Sequence, residues 1–298
     1  MCIICQKKYN ININTLDCLD CRGCTSLTSI PNTLINIITL DCRYCTSLIT
    51  IPDTLINITT LYCQGCACLD TIPDTLINII TLYCGDCESL AIIPDTLSNI
   101  TMLDCYGCIN VTAIPNTFIN LTRLNCNDCT SLTTIPNTLI NLKILDCHFC
   151  TSLTIPDTLI NLTILYCQGC ISLVIPDTFI NLTTLFCQDC ISLDIIPDTF
   201  INLTTLHCNG CTNLIKIPSN NYNYIHCVNC EWLNHPNNKN YNSNIQKINI
   251  INSWFRHNIK FFIFKRWIKS EKCIQWLYNP DNIGGKIVKK NILQSINK

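Results

Sequence analysis

The sequence predicts an α/β solenoid built on one parallel β-sheet of about eleven short strands. Three observations predict it. The pattern apolar-x-x-apolar-x-Cys-x-x-Cys-x-x-apolar returns eleven times at a period of 20 to 21 residues. It opens at Leu16, Leu19, Cys21, Cys24 and Leu27 and closes at Tyr222, Ile225, Cys227, Cys230 and Leu233. A second constant phrase, Ile-Pro-(Asp/Asn)-Thr-(Leu/Phe)-Ile-Asn, as in Ile51 to Asn57, separates the copies. Within each copy the step Leu-x-Cys, as at Leu124 and Cys126, sets two inward residues two apart, the period of a strand. A unit this short cannot bury its apolar face alone, so stacked neighbours supply the core.

Residues 1 to 13 precede the first copy and are read as an N-terminal cap or a disordered end. Residues 14 to 233 form the repeat domain, eleven copies long. In each copy Leu-x-Cys is the strand and the residue between them, such as Asn125, points out. The proline of the constant phrase has no N–H to give a ladder, so it belongs to the return segment. There Pro52-Asp53-Thr54 suits a tight turn or a single 3₁₀ turn, and an average α-helix of about 11 residues does not fit. Asn234 to Asn244 reads as a linker, and residues 234 to 298 as a basic, aromatic C-terminal segment. Within it Trp254, Phe255, Ile259, Phe262, Trp267 and Ile268 recur at roughly helical spacing among lysines, which predicts one or two amphipathic helices.

The repeat resembles the leucine-rich repeat, Leu-x-x-Leu-x-Leu-x-x-(Asn/Cys)-x-Leu, in its cysteine-containing variety with short, bacterial-type return segments. Cys126 and its equivalents take the third leucine position, and Cys129 and its equivalents the Asn/Cys position. The last apolar residue falls one place late. The resemblance implies a horseshoe whose strands line the concave face and which binds another protein there. The usage of Ile, Asn and Lys and the closing phrase from Tyr278 to Lys286 resemble repeat proteins of giant DNA viruses of amoebae. That resemblance implies a host-facing role in the host cytoplasm or the virion.

Of 27 cysteines, all but Cys2, Cys5, Cys18, Cys68 and Cys273 occupy repeat positions. Cys126, Cys129, Cys147, Cys150, Cys167 and Cys170 are read as buried structural thiols, a role in which free cysteine is common. The spacing Cys21-x2-Cys24 with Cys42-x2-Cys45 also imitates a zinc ribbon, so multi-zinc binding stays as an alternative. Parallel strands about 4.8 Å apart hold equivalent thiols side by side, which suits a column better than a tetrahedral cage. Disulfides between copies are disfavoured on the same spacing. Met1 to Lys8 contains no apolar run of signal length, so a reducing, cytoplasmic compartment is expected and the Asn-x-Thr triplets are coincidental.

The near-neutral net charge of −1 hides a division: residues 1 to 233 hold 18 acidic and seven basic side chains, and the remainder two acidic and 12 basic. The basic segment is therefore read as a cap on the acidic solenoid, since end repeats expose apolar surface. Peripheral membrane contact by residues 254 to 278 is the rival; the apolar run Phe261 to Phe264 is far too short to span a bilayer. The repulsion of phosphates by an acidic domain argues against nucleic acid.

No nucleotide loop or nucleophile constellation is present: Gly284-Gly285-Lys286 lacks the P-loop spacing, and the five histidines are scattered. Cys273, beside Lys269 and Lys272, supports the enzyme alternative, a ubiquitin-ligase-like cysteine effector, although the Cys-x-Asp motif is missing. The reading is instead non-enzymatic, with no cofactor. Tyr62, Tyr83, Tyr106, His148, Tyr166, Phe186 and His207 fall at outward strand positions and are the expected partner-binding residues. Metal analysis of the purified full-length protein is expected to find no stoichiometric zinc; several zinc ions per chain would overturn the structural-thiol reading.

Overall fold

A computed structural model describes residue 4 and residues 17 to 230, except 219, 221 and 228. Two segments read above from sequence, the N-terminal cap and the helical C-terminal segment with Cys273, lie outside this range, as do Cys2 and Cys5. The eleven strands are β1 (Cys18–Asp20), β2 (Thr39–Asp41), β3 (Thr60–Tyr62), β4 (Thr81–Tyr83), β5 (Met102–Asp104), β6 (Arg123–Asn125), β7 (Ile144–Asp146), β8 (Ile164–Tyr166), β9 (Thr184–Phe186), β10 (Thr205–His207) and β11 (Tyr224–His226). They form one parallel sheet in sequence order. The register is residue for residue, Leu124 pairing Leu145 and Leu145 pairing Leu165, so each column holds equivalent positions. Alternation places the central leucine and the following cysteine inside: Leu124, Cys126, Leu145 and Cys147 are fully buried.

Beyond the strand the inward residues come every third place, with one step of four between Ile51 and Leu55. Cys42, Cys45, Leu48, Ile51, Leu55 and Ile58 are all buried. Successive turns close this path, with Cys45 N–H donating to the Cys42 carbonyl, Leu48 to Cys45, Leu55 to Pro52 and Ile58 to Leu55. The return is thus a chain of tight turns, with no helix among the described residues of the repeats.

The first of these turns makes a demand that the sequence reading passed over. In Cys-x-x-Cys the second x has positive φ in all eleven copies: Gly23, Gly65, Gly107, Gly169 and Gly210, and also Tyr44, Asp86, Asp128, Phe149, Asp189 and Asn229. An i to i+3 bond with positive φ at i+2 is the signature of a type II turn. Gly, Asp and Asn, which tolerate this region best, fill nine of the eleven places. Four of the larger side chains lean over a glycine in the next repeat. Tyr44 covers Gly65, Asp86 covers Gly107, Phe149 covers Gly169 and Asp189 covers Gly210.

The cysteines do more than fill space. In ten consecutive steps the second cysteine donates its S–H to the carbonyl of the first cysteine one repeat earlier, from Cys45 to Cys21 at 2.9 Å through Cys230 to Cys208 at 2.7 Å. The return face has matching ladders. Threonine of the constant phrase donates to the preceding repeat's Asp or Asn carbonyl, as Thr138 does to Asn116 at 2.7 Å. Asparagine donates to the preceding isoleucine carbonyl, as Asn141 does to Ile119 at 2.9 Å. These bonds explain why the phrase is constant where it is exposed.

Two expectations need correction. Cys208 and Cys227 form a disulfide, with Cα atoms 5.0 Å apart. Neighbouring strand positions therefore lie inside the range of about 4.4 to 6.8 Å that a bridge accepts. This last interval is also 19 residues, shorter than the 20 to 21 read from the other copies. Among the other described cysteines only Cys18 and Cys68 are exposed.

Gly65→Ala tests the turn. Its φ is +70° and an added Cβ would sit 2.6 Å from the Tyr44 ring, so the change should destabilise the fold by at least about 1–2 kcal/mol. Urea unfolding should show this loss, and Tyr44→Ala in the same chain should restore the steric part.

Candidate functional site

Alternation around each buried leucine leaves three outward columns on the strand face: the residue before it, the residue after it, and the residue after the first cysteine. The register stacks each column at strand spacing, so a planar ring in one repeat meets the ring of the next. Tyr62 and Tyr83 stack with centroids 4.9 Å apart and planes 8° from parallel. The Arg43 guanidinium lies over Tyr62 at 5.1 Å, and the Tyr83 hydroxyl reaches Met102 sulfur at 3.0 Å.

A longer run occupies the later repeats. His148 meets Tyr166 at 5.8 Å, Tyr166 meets Phe186 at 5.0 Å, Phe186 meets His207 at 4.1 Å, and His207 meets Tyr224 at 4.7 Å. Six of the seven residues expected at the binding face thus fall into two stacks, and each ring is half-buried by its neighbours. Tyr106 stands apart. Its ring lies against Gly85 of the preceding repeat, where a side chain would collide with it. Burial first, then a hydrogen bond to Asp86, hold its hydroxyl well above the usual tyrosine range. The glycine is what lets this ring lie flat.

Between the stacks the middle column reads Asp104, Asn125, Asp146. Burial pushes the Asp104 carboxyl up, against the opposing pull of the Tyr106 N–H, the Asn125 amide and Arg123. Asp146 pairs with the His148 ring. At the other end Arg22 grips Asp20 with bonds of 3.0 and 2.7 Å, which holds that exposed carboxyl below its ordinary value. Arg43 does the same geometrically to Asp41. In the third column the side-chain oxygens of Gln64, Asn127, Gln168 and Gln188 are buried with no hydrogen-bond partner.

The chemistry of catalysis is sparse on this face. No group of three or more His, Cys, Asp or Glu side chains is placed to hold a metal ion among the described residues. The first cysteine of the motif is the reverse of activated, whereas a hydrogen bond to the first cysteine of the preceding repeat lowers Cys66, Cys108, Cys170 and Cys211. A hydrogen bond to the second cysteine of the next repeat, and then burial, hold Cys63, Cys105, Cys126 and Cys147 well above the ordinary thiol value. Burial pushes Cys45 up to about 11.

Tyr224, Arg43 and Asp41 were missed as site residues. Strict alternation was the available signal for Tyr224, because the residue before the buried Ile225 must face outward as surely as the one after it. The Asp41–Arg43 pair was visible only as two separate column positions.

No family model matches the chain, and no curated protein matches it. Among solved structures it is similar to the leucine-rich repeat domain of the type III effector XopL, with a TM-score of 0.51 and 20% identity over 72% of this chain and 77% of that one. It is also similar to a leucine-rich repeat protein of Leptospira interrogans (TM-score 0.41, 15% identity, 74% of this chain and 80% of that one). A third likeness is to the functional domain of InlJ from Listeria monocytogenes, which includes a cysteine ladder (TM-score 0.34, 16% identity, 73% and 69%). The first of these shows that the fold is that of a leucine-rich repeat solenoid.

The raised thiols carry a pH signature. Above the ordinary thiol value of about 8.5 the unfolded chain loses protons that the folded chain keeps. The contribution of these raised thiols is therefore full below that value and is lost as pH rises toward about 11, the value for Cys45, while the fewer lowered thiols Cys66, Cys108, Cys170 and Cys211 act in the opposite sense. Tyr106 acts in the same direction as the raised thiols. Urea midpoints measured across this range should decline, and a flat profile would contradict the buried protonated ladder.

Proposed function

We propose that this leucine-rich repeat solenoid is a non-enzymatic scaffold that binds another protein through its strand face. The single observation that carries the reading is the alignment of rings in two stacks on one side of the sheet, Tyr62 with Tyr83 and His148 through Tyr224. Stacking holds each ring in place before any partner arrives, so little side-chain entropy is lost on contact. Aromatic side chains in this state are the usual anchors of protein interfaces.

The compartment proposed is a reducing cytoplasm, since the second-cysteine ladder donates hydrogen bonds only as thiols; the Cys208–Cys227 bridge, of a kind rare in that compartment, is the contrary observation. A host-facing role as a viral protein belongs to the same proposal and rests on the sequence resemblance alone. No helix of the described residues is long and apolar enough to cross a membrane.

Tyr166→Ala combined with Phe186→Ala tests the face. Partner recovery by the full chain should fall by about tenfold or more, with the thermal midpoint nearly kept because both rings are only half-buried. Unchanged recovery would place the binding surface elsewhere.

A further inference from the structure

The return face carries a feature that partner binding on the strand face leaves unused. The isoleucine before the ladder asparagine points to solvent in eight of nine repeats, 50% to 52% exposed at seven of them and 72% exposed at Ile201. Its neighbours have duties: the preceding leucine or phenylalanine is core, and the asparagine and threonine tie one repeat to the previous one. The isoleucine serves the ladder only through its carbonyl, which accepts from the next asparagine, and its side chain has no such duty. The repeats stack in register, so these side chains form an aliphatic row from Ile35 to Ile77 and, after Ser98, from Ile119 to Ile201.

Eight half-exposed isoleucines present on the order of 600 Å² of apolar surface, at the upper end of the largest patch on an ordinary monomer. With the threonine and asparagine rows on either side, the strip reaches the scale of about 800 Å² per partner of a specific interface. A row repeating once per repeat is matched in period along its length by the same row of a second copy. The polar rows need nothing from a partner, since their donors are already used within the chain.

We infer that the isoleucine ridge is a self-association surface, occupied by the ridge of a second copy of this chain. The charges select the arrangement. Around each return segment the order is Asp, Thr, Ile, Asn, as in Asp53 to Asn57. A two-fold axis running along the ridge sets the threonine row of each copy against the asparagine row of the other and carries the two acidic rows to opposite outer edges. An axis across the ridge would oppose Asp to Asp. The dimer is therefore parallel, with isologous contacts.

The test is sedimentation velocity of the full chain across a micromolar concentration series. The wild type should show twice the 33.8 kDa chain mass. Ile140→Ser with Ile160→Ser copies the serine that the return after the fourth copy already carries at Ser98 and should weaken dimerisation on the order of tenfold or more, with the circular dichroism spectrum unchanged. If that pair unfolds the chain, Ile56→Ser with Ile77→Ser serves instead. Tyr166→Ala with Phe186→Ala should leave the dimer intact. A wild type that is monomeric throughout, a dimer indifferent to the serine changes, or a dimer lost with the strand-face changes would each overturn the inference. So would a monomer that binds phosphatidylcholine vesicles through the ridge.

Discussion

A repeat of about 20 residues cannot close on itself, so its polar groups are satisfied mainly by handing them to the next repeat. Strand amides, the turn amide after each first cysteine, the second-cysteine thiol, the threonine hydroxyl and the asparagine amide all bond across this one boundary. The rest of the molecule follows from it. Register must be residue for residue, because a shift would break every ladder at once. Columns must then form, and whatever occupies a column is stacked whether or not it was selected to stack.

That rule explains how much could be read from residues alone. Strand positions and core were legible because inward positions repeat: Leu124, Cys126, Cys129 and Leu132 are buried where alternation and the apolar pattern put them. The turn-built return was legible from proline and from the shortness of the phrase. The left-handed corner left a trace, since Gly, Asp and Asn dominate one place in Cys-x-x-Cys, yet Tyr44 and Phe149 mask it. The thiol ladder left none, because a cysteine chosen for size and one chosen for its S–H look alike in sequence. The bridge between Cys208 and Cys227 was not legible, because strand spacing brings every neighbouring pair of equivalent cysteines within the accepted range and nothing in the residues marks which pair closes.

The strand face was legible as a set of outward positions but not as an arrangement. Tyr62, Tyr83, Tyr166, Phe186 and His207 were identified one by one, whereas their value lies in being consecutive in a column. Tyr106 shows the opposite case. Its place in another column, over Gly85, turns a ring that looks available into one that covers backbone. The carboxylates between the stacks add a second character: Asp104 is buried enough to resist ionisation, while Asp20 and Asp41 are neutralised by arginines two residues on.

The leaning of Tyr44 over Gly65, and of Phe149 over Gly169, bears on how such a chain can lengthen or shorten through duplication. Most repeats are interchangeable building blocks, since each meets the same surface above and below. A bulky corner residue and the glycine it covers are different, because a crossover between them would leave the ring against a new neighbour's side chain. At those places the heritable module is the pair of repeats. Recombination that respects the pairs would slide the aromatic columns along the array as intact blocks, changing what the face presents while the scaffold underneath stays the same.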